Sequence, residues 1–369
     1  MSSRGRDRAR ALVLEAPGRL VARSFDLPPV GDDDGLLRVE ACGLCGTDHE
    51  QFTGALFPGF AFVPGHEVVG TVEAAGPEAL ERWGVQVGDR VAVEVFQSCR
   101  TCDACRRGEY RWCSRHGLAD MIGFVPAERP PGLWGGYATH LHLPPDALLL
   151  PVPDGLDPVV ATLFNPLGAG IRWGRTVPAT TSGDVVAVLG PGIRGLSALV
   201  AARDAGAGFV LVTGRGERDR PRLDAALRFG ADAVVDVGAD DPVAVLRRAS
   251  RLADVVVDVT AKAPAALAQA VALARPGGTV VLAGTRGSED TPGFSPDTVV
   301  YKELRLVGAL GVDAPAYLEA LALLASGRHP FADVSRRTVP LEGVADLLAD
   351  MAGEGSAPPP LHGVVVPGA

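Results

Sequence analysis

Hydrophobic positions follow two different patterns along the chain, and the pattern changes near Pro153. Before this residue, short apolar runs are separated by turn residues, as in LLRVEACG (36–43), HEVVGTVEAAG (66–76) and GDRVAVEV (88–95). Short runs of this kind, bounded by glycine and charged residues, are typical of strands. The first part of the chain is therefore predicted to form a β-rich unit.

After Pro153, continuous apolar runs alternate with segments that are rich in alanine, leucine and arginine at helical spacing. Continuous apolar runs favour parallel strands that are buried on both faces, and the alternation predicts βαβ units of a doubly wound α/β sheet. The predicted strands are VVAVLG (185–190), FVLVT (209–213), AVVDV (233–237), ADVVVDV (253–259), GTVVLAG (278–284) and LRLVGAL (304–310).

The segments between and after these strands predict helices. They are DRPRLDAALRFGA (219–231), APAALAQAVALA (263–274) and AYLEALALLASG (316–327), and Gly327 is expected to end the last one. The final run, HGVVVPGA (362–369), is expected to add one strand to the β-rich unit.

These patterns predict four successive parts of the chain. Residues 1–10 form a flexible N-terminus, and residues 11–158 form the β-rich unit with a cysteine-containing lobe at 95–116. Residues 159–329 form the doubly wound unit, and residues 330–369 return to the first unit.

Composition and charge narrow the classes of function. The formal net charge of −9 argues against nucleic acid as a partner, because phosphate binding needs a basic surface. No apolar run approaches the ~20 residues that span a bilayer, so no membrane partner is expected. The first ten residues lack the apolar core of a secretory signal, which predicts a cytoplasmic protein with reduced thiols.

Four of the six cysteines lie within fifteen residues, at Cys99, Cys102, Cys105 and Cys113. Reduced cysteines at this spacing are typical of a structural zinc site, in which four thiolates close a tetrahedron and leave no position for chemistry. Such a site would hold the lobe together, since the free energy of metal binding contributes to folding.

Two further segments carry metal-binding side chains: CGLCGTDH (42–49), which includes Cys45, and PGHEVVG (64–70), which includes His66. A catalytic zinc takes three protein ligands and keeps one position open. One cysteine and one histidine twenty-one residues apart are weak evidence on their own.

Taken with their neighbours, however, these motifs resemble the zinc-dependent medium-chain dehydrogenase/reductase family of alcohol and polyol dehydrogenases. The residues 45–48 (CGTD), 65–67 (GHE) with Gly70 and Gly76, and 87–91 (VGDRV) carry the resemblance. It implies a GroES-like catalytic domain joined to a Rossmann domain, with the active site in the cleft between them.

The resemblance also implies roles for individual residues. Cys45 and His66 are similar to catalytic zinc ligands, and Glu67 to the carboxylate that ligates zinc or stands behind it. Thr47 is similar to the hydroxyl that receives the substrate proton, and Asp48 would fix the tautomer of His66. Some relatives have a histidine of the proton relay at the position of Glu50. In this chain either His49 takes that role or neither residue does.

One position departs from the family pattern. Where relatives carry a Cys, Glu or Asp ligand, this chain has Asn165 in the segment FNPLG (164–168). Either zinc is held by Cys45, His66 and Glu67 with Asn165 outside the ligand set, or the site is weakened. The first alternative retains the three ligands that a catalytic zinc needs.

The cofactor site is predicted at GPGIRG (190–195), which follows a predicted strand and opens a predicted helix. Glycines there permit a tight turn and close approach of a dinucleotide pyrophosphate. The predicted contacts are Gly190, Gly192, Ile193, Arg194, Gly195, Gly214, Arg215, Arg218, Thr260 and Gly284.

The end of the second strand of the doubly wound unit bears on the choice of cofactor. NAD enzymes usually have Asp or Glu there, but this chain has Gly214 followed by Arg215, which can pair with the 2′-phosphate of NADP. Arg218 is a second candidate, while Glu217 and Asp219 leave NAD possible. NADP is favoured.

We therefore expect an NAD(P)-dependent zinc oxidoreductase with two zinc ions per chain. Its expected substrate is a secondary alcohol of polyol, sugar or cyclitol type, which it converts reversibly to a ketone. Simple aliphatic or aromatic alcohols and aldehydes are one alternative, and a non-catalytic NADPH-binding zinc protein is another. By resemblance, chains associate as a homodimer or homotetramer around LRLVGAL (304–310).

Overall fold

The computed structural model describes residues 8–249, 251–286 and 290–368. The chain divides into two compact units. The first contains the described residues up to Phe164 together with Asp313–Ser326 and 335–368, and the second contains Asn165–Val312 and Gly327–Val334. The sequence-based boundaries differ in assigning residues 159–164 and the helix that ends at Ser326 to the second unit, and residues 330–334 to the first.

Strands and helices are numbered in chain order. The strands of the first unit are β1 (Arg8–Ala16), β2 (Arg19–Asp26), β3 (Gly35–Leu44), β4 (Glu67–Ala75), β5 (Arg90–Val93), β6 (His140–Leu143), β7 (Leu149–Pro151), β14 (Arg336–Val339) and β15 (His362–Val365). Its helices are α1 (Gly46–Thr53), α2 (Pro77–Trp83), α3 (Asp103–Arg106), α4 (Pro158–Ala161), α11 (Ala314–Ser326) and α12 (Val344–Ala352).

The larger sheet of the first unit has the order β14-β15-β3-β4-β5-β7, with β6 also paired to β3, and β1 and β2 form a separate hairpin. The predicted strand in the C-terminal run is confirmed, because β15 pairs antiparallel with β3. Valine and leucine side chains of these strands, including Leu37, Val68 and Val91, are buried in one core. β1 starts at Arg8, so residues 8–10 of the segment predicted to be flexible form strand, and residues 1–7 lie outside the described residues.

The second unit contains strands and helices in alternation. Its strands are β8 (Val185–Leu189), β9 (Phe209–Gly214), β10 (Ala233–Asp236), β11 (Ala253–Asp258), β12 (Ala274–Leu282) and β13 (Arg305–Gly308). Its helices are α5 (which starts at the boundary, Phe164–Ile171), α6 (Ile193–Asp204), α7 (Gly216–Arg228), α8 (Pro242–Arg248), α9 (Ala266–Leu273) and α10 (Pro296–Tyr301).

The strands of the second unit pair in parallel in the order β10-β9-β8-β11-β12-β13. This order confirms the predicted doubly wound sheet, whose direction of winding reverses between β8 and β11. In such sheets ligands bind at the carboxyl ends of the strands beside this switch point. The loop after Leu189 and the segment after Asp258 therefore lie where a dinucleotide is expected.

No helix in the described part of the chain is long and apolar enough to cross a membrane. The cytoplasmic location stays a prediction.

Candidate metal centres and dinucleotide site

Cys45 lies at the junction between β3 and α1, where it is the N-cap residue of the helix. Its backbone N–H donates to Oδ2 of Asp48 across 2.8 Å, which satisfies one of the amides that a helix start leaves unpaired. The same carboxylate is 98% buried. The turn therefore fixes both the thiol and the carboxylate at the end of β3.

His66 directly precedes β4, the antiparallel neighbour of β3. Its Nε2 lies 3.2 Å from Sγ of Cys45, and its Nδ1 lies 3.6 Å from Oδ1 of Asp48. Gly65 precedes it with φ +94°, a conformation that L side chains rarely adopt. The imidazole thus presents one nitrogen to the thiol and the other to the carboxylate, which is the arrangement of a metal-ligating histidine and its orienting acid.

Glu67 is the first residue of β4 and lies opposite Gly43 in the β-ladder. A Cβ atom on Gly43 would lie 2.4 Å from Oε2 of Glu67. The carboxylate therefore occupies space that the side chain of any other residue at position 43 would fill. The ligand atoms of Cys45, His66 and Glu67 all lie within 4.8 Å of one another, and all three residues are buried. Thiolate, imidazole and carboxylate are the donors that zinc prefers, and the group fits a zinc ion with one position open.

The other residues of the segment 42–49 have different surroundings. Thr47 is half-buried as the second residue of α1. Nε2 of His49 lies 3.1 Å from Oε2 of Glu354, which follows helix α12, so this imidazole is within hydrogen-bond distance of a carboxylate. Cys42 is fully buried, and burial raises the pKa of its thiol well above the usual value. These properties are typical of a packed thiol rather than a thiolate ligand.

Asn165 is in the second unit, where its side-chain oxygen accepts a hydrogen bond from Nη2 of Arg194 across 3.1 Å. The guanidinium group of Arg194 also lies 5.4 Å from the ring centroid of Trp173. The oxygen that could serve as a weak metal ligand is thus directed at a cation of the glycine-rich loop. This contact favours the alternative in which Asn165 lies outside the ligand set.

The four lobe cysteines form the other group whose ligand atoms lie within 4.8 Å of one another, in the described residues. Cys99 and Cys113 are buried, and the short helix α3 lies between Cys102 and Arg107. The Thr101 hydroxyl and the Cys102 N–H donate to Sγ of Cys99 and lower the pKa of this thiol to about 5. A stable thiolate among three further sulfurs fits a structural zinc.

The glycine-rich loop of the second unit joins β8 to α6. Gly190 has φ +103°, and a Cβ on Gly195 would lie 1.9 Å from the carbonyl oxygen of Gly190, so helix and loop approach closely only because both are glycine. A Cβ on Gly192 would meet nothing within 4 Å. Gly192 is the N-cap of α6, followed by Ile193. The open space at this helix start fits a pyrophosphate group.

Thr260 and Gly284 are held together at the ends of β11 and β12. Oδ1 of Asp258 accepts from the Thr260 N–H at 3.0 Å and from its hydroxyl at 2.6 Å, and Oδ2 pairs with Arg286. A Cβ on Gly284 would lie 1.8 Å from the Thr260 carbonyl oxygen. Asp258, which is fully buried, thus shapes this edge of the predicted cofactor site.

Beyond β9, acidic side chains are already engaged by arginines or backbone amides. Asp219 accepts from the Arg215 N–H at 2.9 Å and pairs with Arg222, and Glu217 pairs with Arg220 at 2.7 Å. Gly214 ends β9. The side chains of Arg215 and Arg218 are exposed. No carboxylate thus stands at the position that follows the strand.

Several residues that shape these sites were not found by sequence reasoning. Gly43 faces Glu67, Asp258 anchors Thr260, and Gln51 and Tyr137 are completely buried beside the metal group. Burial raises the pKa of Tyr137 well above its usual value, and the Asp48 carboxylate raises it further. Only Asp258 had a signal in the sequence, as an acid at the end of an apolar run.

Comparisons with known proteins agree with this organisation. The family model of the alcohol dehydrogenase GroES-like domain matches residues 31–154, and that of zinc-binding dehydrogenases matches residues 195–326. The chain is 69% identical over 360 residues to a probable alcohol dehydrogenase of Mycobacterium tuberculosis, covering 97% of this chain and 98% of the relative.

Two more distant proteins are also similar. A sorbitol dehydrogenase of Bacillus subtilis is 29% identical over 325 residues, which cover 86% of each chain. The NADP-bound structure of a Sinorhizobium meliloti 1021 protein described as a zinc-binding dehydrogenase is 28% identical, with a TM-score of 0.83 over 98% of this chain and 100% of that one.

Proposed function

The chain belongs to the zinc-dependent medium-chain dehydrogenase family and is a zinc alcohol dehydrogenase, and from this premise we propose that it oxidises a secondary hydroxyl group of a polyol, sugar or cyclitol. The observation that carries the proposal is the convergence of Cys45, His66 and Glu67 within 4.8 Å. The products are a ketone, the reduced nicotinamide cofactor and a proton, and the reaction is reversible.

Each residue of the group has a separate task. Cys45, His66 and Glu67 would hold the zinc ion, while Asp48 orients the imidazole. A bound zinc supplies Lewis acidity toward the substrate oxygen. Thr47 would receive the proton of the hydroxyl group and pass it outward. A bound nicotinamide cofactor would supply the acceptor for the hydride of the substrate. The Phe124 ring, 5.8 Å from that of His66, would exclude water beside the ligands.

Two zinc ions per chain are part of the proposal. The buried group around Cys45 would hold the catalytic ion, and the four lobe cysteines would hold the structural ion. The lobe group would be closed because its four sulfurs fill all four positions of a tetrahedral zinc, whereas the group of three would leave one position for substrate.

NADP is the proposed cofactor. Glu217 and Asp219, the carboxylates that left NAD possible, are each engaged by an arginine, while the Arg215 side chain is exposed beyond β9. An exposed guanidinium can bind a 2′-phosphate through two parallel hydrogen bonds. The similar Sinorhizobium protein binds NADP, which supports the same preference.

The polyol substrate class is supported by the similarity to a sorbitol dehydrogenase and by the sequence Pro166-Leu167 after Asn165. The relative at 69% identity is named only as an alcohol dehydrogenase, so simple aliphatic or aromatic alcohols are the second candidate. A non-catalytic NADPH-binding protein is not favoured, because the family and this relative are enzymes.

Association into a homodimer or homotetramer through β13 completes the proposal. In the described residues β13 pairs with β12 alone, which leaves its other edge open. Leu306 is 37% and Leu310 41% exposed on and after this strand, and Tyr301 before it is 83% exposed. An open strand edge flanked by exposed apolar residues favours pairing with a second chain.

The experiment that tests the function is a rate measurement with purified, zinc-replete enzyme. Polyols, cyclitols and simple alcohols are each offered with NADP and with NAD, and formation of the reduced cofactor is followed. The proposal expects the highest kcat/KM for a polyol-type secondary alcohol with NADP. Higher kcat/KM for simple primary alcohols would contradict the substrate class.

A further inference from the structure

Four buried polar atoms behind the catalytic metal group have no hydrogen-bond partner among the residues that the structure describes: Oδ1 of Asp48, Oε1 of Gln51, Nδ1 of His66 and the hydroxyl of Tyr137. Unpaired buried polar atoms are costly, and clusters of them in native proteins have a reason. When Nε2 of His66 binds a metal, Nδ1 carries a proton. The four atoms then comprise two donors and two acceptors.

Tyr137 packs directly against the segment that presents His66. Its backbone N–H donates to the Pro64 carbonyl at 3.0 Å, and the neighbouring Gly136 N–H donates to the Gly65 carbonyl at 2.8 Å. A Cβ on Gly65 would lie 2.6 Å from Cδ1 of the Tyr137 ring. The phenol is therefore held in contact with the turn before the metal-binding imidazole.

Gln51 reaches the same turn through another segment. Its Nε2 donates to the carbonyl oxygen of Gly123 across 3.5 Å. A Cβ on Gly123 would lie 2.8 Å from the Gly65 carbonyl oxygen and 3.3 Å from Cβ of His66. Gln51 also lies one turn after Asp48 on α1. The amide thus links the helix that carries Asp48 to the turn that carries His66.

We propose that Tyr137 and Gln51 are positioning residues of the catalytic metal site. In the metal-bound protein, Nδ1–H of His66 and the hydroxyl of Tyr137 donate to Oδ1 of Asp48 and Oε1 of Gln51, directly or through one bridging water. This network fixes the carboxylate that orients the imidazole and so raises the affinity for the metal. The inference rests on the proposed function only in taking Cys45, His66 and Glu67 as ligands.

The test measures metal affinity in the zinc-loaded full chain, by equilibrium competition between the protein and a chelator for the catalytic ion and by the visible spectrum after cobalt exchange. Tyr137→Phe keeps the ring on Gly65 and removes only the hydroxyl. We expect a loss of affinity of about tenfold or more, as for other residues that support a metal ligand. Gln51→Leu should act in the same direction. Tyr317→Phe, which removes another buried tyrosine hydroxyl of the same unit, is the matched control and should leave metal affinity unchanged.

A double-mutant cycle separates positioning from general packing. If Tyr137 acts through Asp48, its substitution has little further effect on metal affinity in an Asp48→Asn background. Additive effects, or wild-type affinity in Tyr137→Phe, would overturn the inference while leaving the zinc site intact. Full retention of metal in Cys45→Ser would instead overturn the metal site and this inference with it.

Discussion

Arg194 donates a hydrogen bond from Nη2 to the side-chain oxygen of Asn165 across 3.1 Å, and this contact joins the glycine-rich loop to the position at which the family resemblance implies a further metal ligand. The oxygen that faces a guanidinium is poorly suited to bind a second cation. The pairing of Asn165 with Arg194 therefore supports the proposed ligand set of Cys45, His66 and Glu67.

Substitution of Asn165 tests this assignment. Asn165→Ala should leave the zinc content unchanged, because the amide oxygen binds Arg194. It should raise the KM for the cofactor about tenfold, since a hydrogen bond to a charged group at the cofactor loop is lost. Asn165→Asp, which can still pair with Arg194, is the control and should raise this KM less. Metal analysis gives the zinc content and initial rates give the KM. Loss of one zinc per chain in Asn165→Ala would place Asn165 in the ligand set.

Arg215 should determine the preference between the two cofactors. Its exposed guanidinium is expected to bind the 2′-phosphate, so Arg215→Ala should lower kcat/KM for NADP about tenfold or more and change that for NAD little. Arg228→Ala, which removes an exposed arginine at the end of α7, is the matched control. Equal losses with both cofactors in Arg215→Ala would refute this role.

The open edge of β13 should mediate association. Leu306→Glu places a charge on this edge, and the desolvation of that charge should shift the protein to a smaller species in light scattering after gel filtration. Leu227→Glu, at an exposed leucine of α7, is the control and should leave the molar mass unchanged. An unchanged oligomer in Leu306→Glu would argue for a different interface.

Glu94 should make stability depend on pH. Its carboxyl group is 99% buried and accepts a hydrogen bond from the Tyr110 hydroxyl at 2.6 Å. Burial raises the pKa of Glu94 from 4.5 to about 8, so the folded chain retains a proton that the unfolded chain releases. The contribution of this group to the free energy of unfolding is therefore largest below pH 4.5. It falls as the pH rises toward 8, by at most about 1.4 kcal/mol per pH unit.

Glu94→Gln should flatten this part of the pH dependence and raise Tm at pH 8 relative to wild type. Tyr110→Phe retains the carboxyl group and should retain the fall in stability. The measurement is Tm by calorimetry between about pH 5 and 8. An equal slope in wild type and Glu94→Gln would show that other groups cause it.

Much of the fold followed from local patterns, because continuous apolar runs occur where a strand is buried on both faces. The six predicted strands of the second unit are confirmed as β8–β13, and Gly327, with φ +62°, follows the last residue of α11. Local patterns do not report which unit a helix packs against. For this reason the sequence predicts α11 in the second unit, although the structure groups it with the first.

The ligand sets could be proposed from spacing and resemblance, whereas the residues that support them could not. Gly43 faces Glu67 through strand pairing, and Arg194 meets Asn165 although twenty-nine residues separate them. Tyr137 approaches Gly65 from a distant segment. Such contacts are determined by the tertiary fold, and no periodicity or motif in the sequence predicts them.

The central claim is that Cys45 is a ligand of a catalytic zinc, and metal analysis of Cys45→Ser tests it most directly. The matched control is Cys42→Ala, which alters a buried thiol outside the group of three ligands. We predict two equivalents of zinc in wild type and in Cys42→Ala, and one equivalent with loss of activity in Cys45→Ser. Two equivalents and full activity in Cys45→Ser would contradict the account.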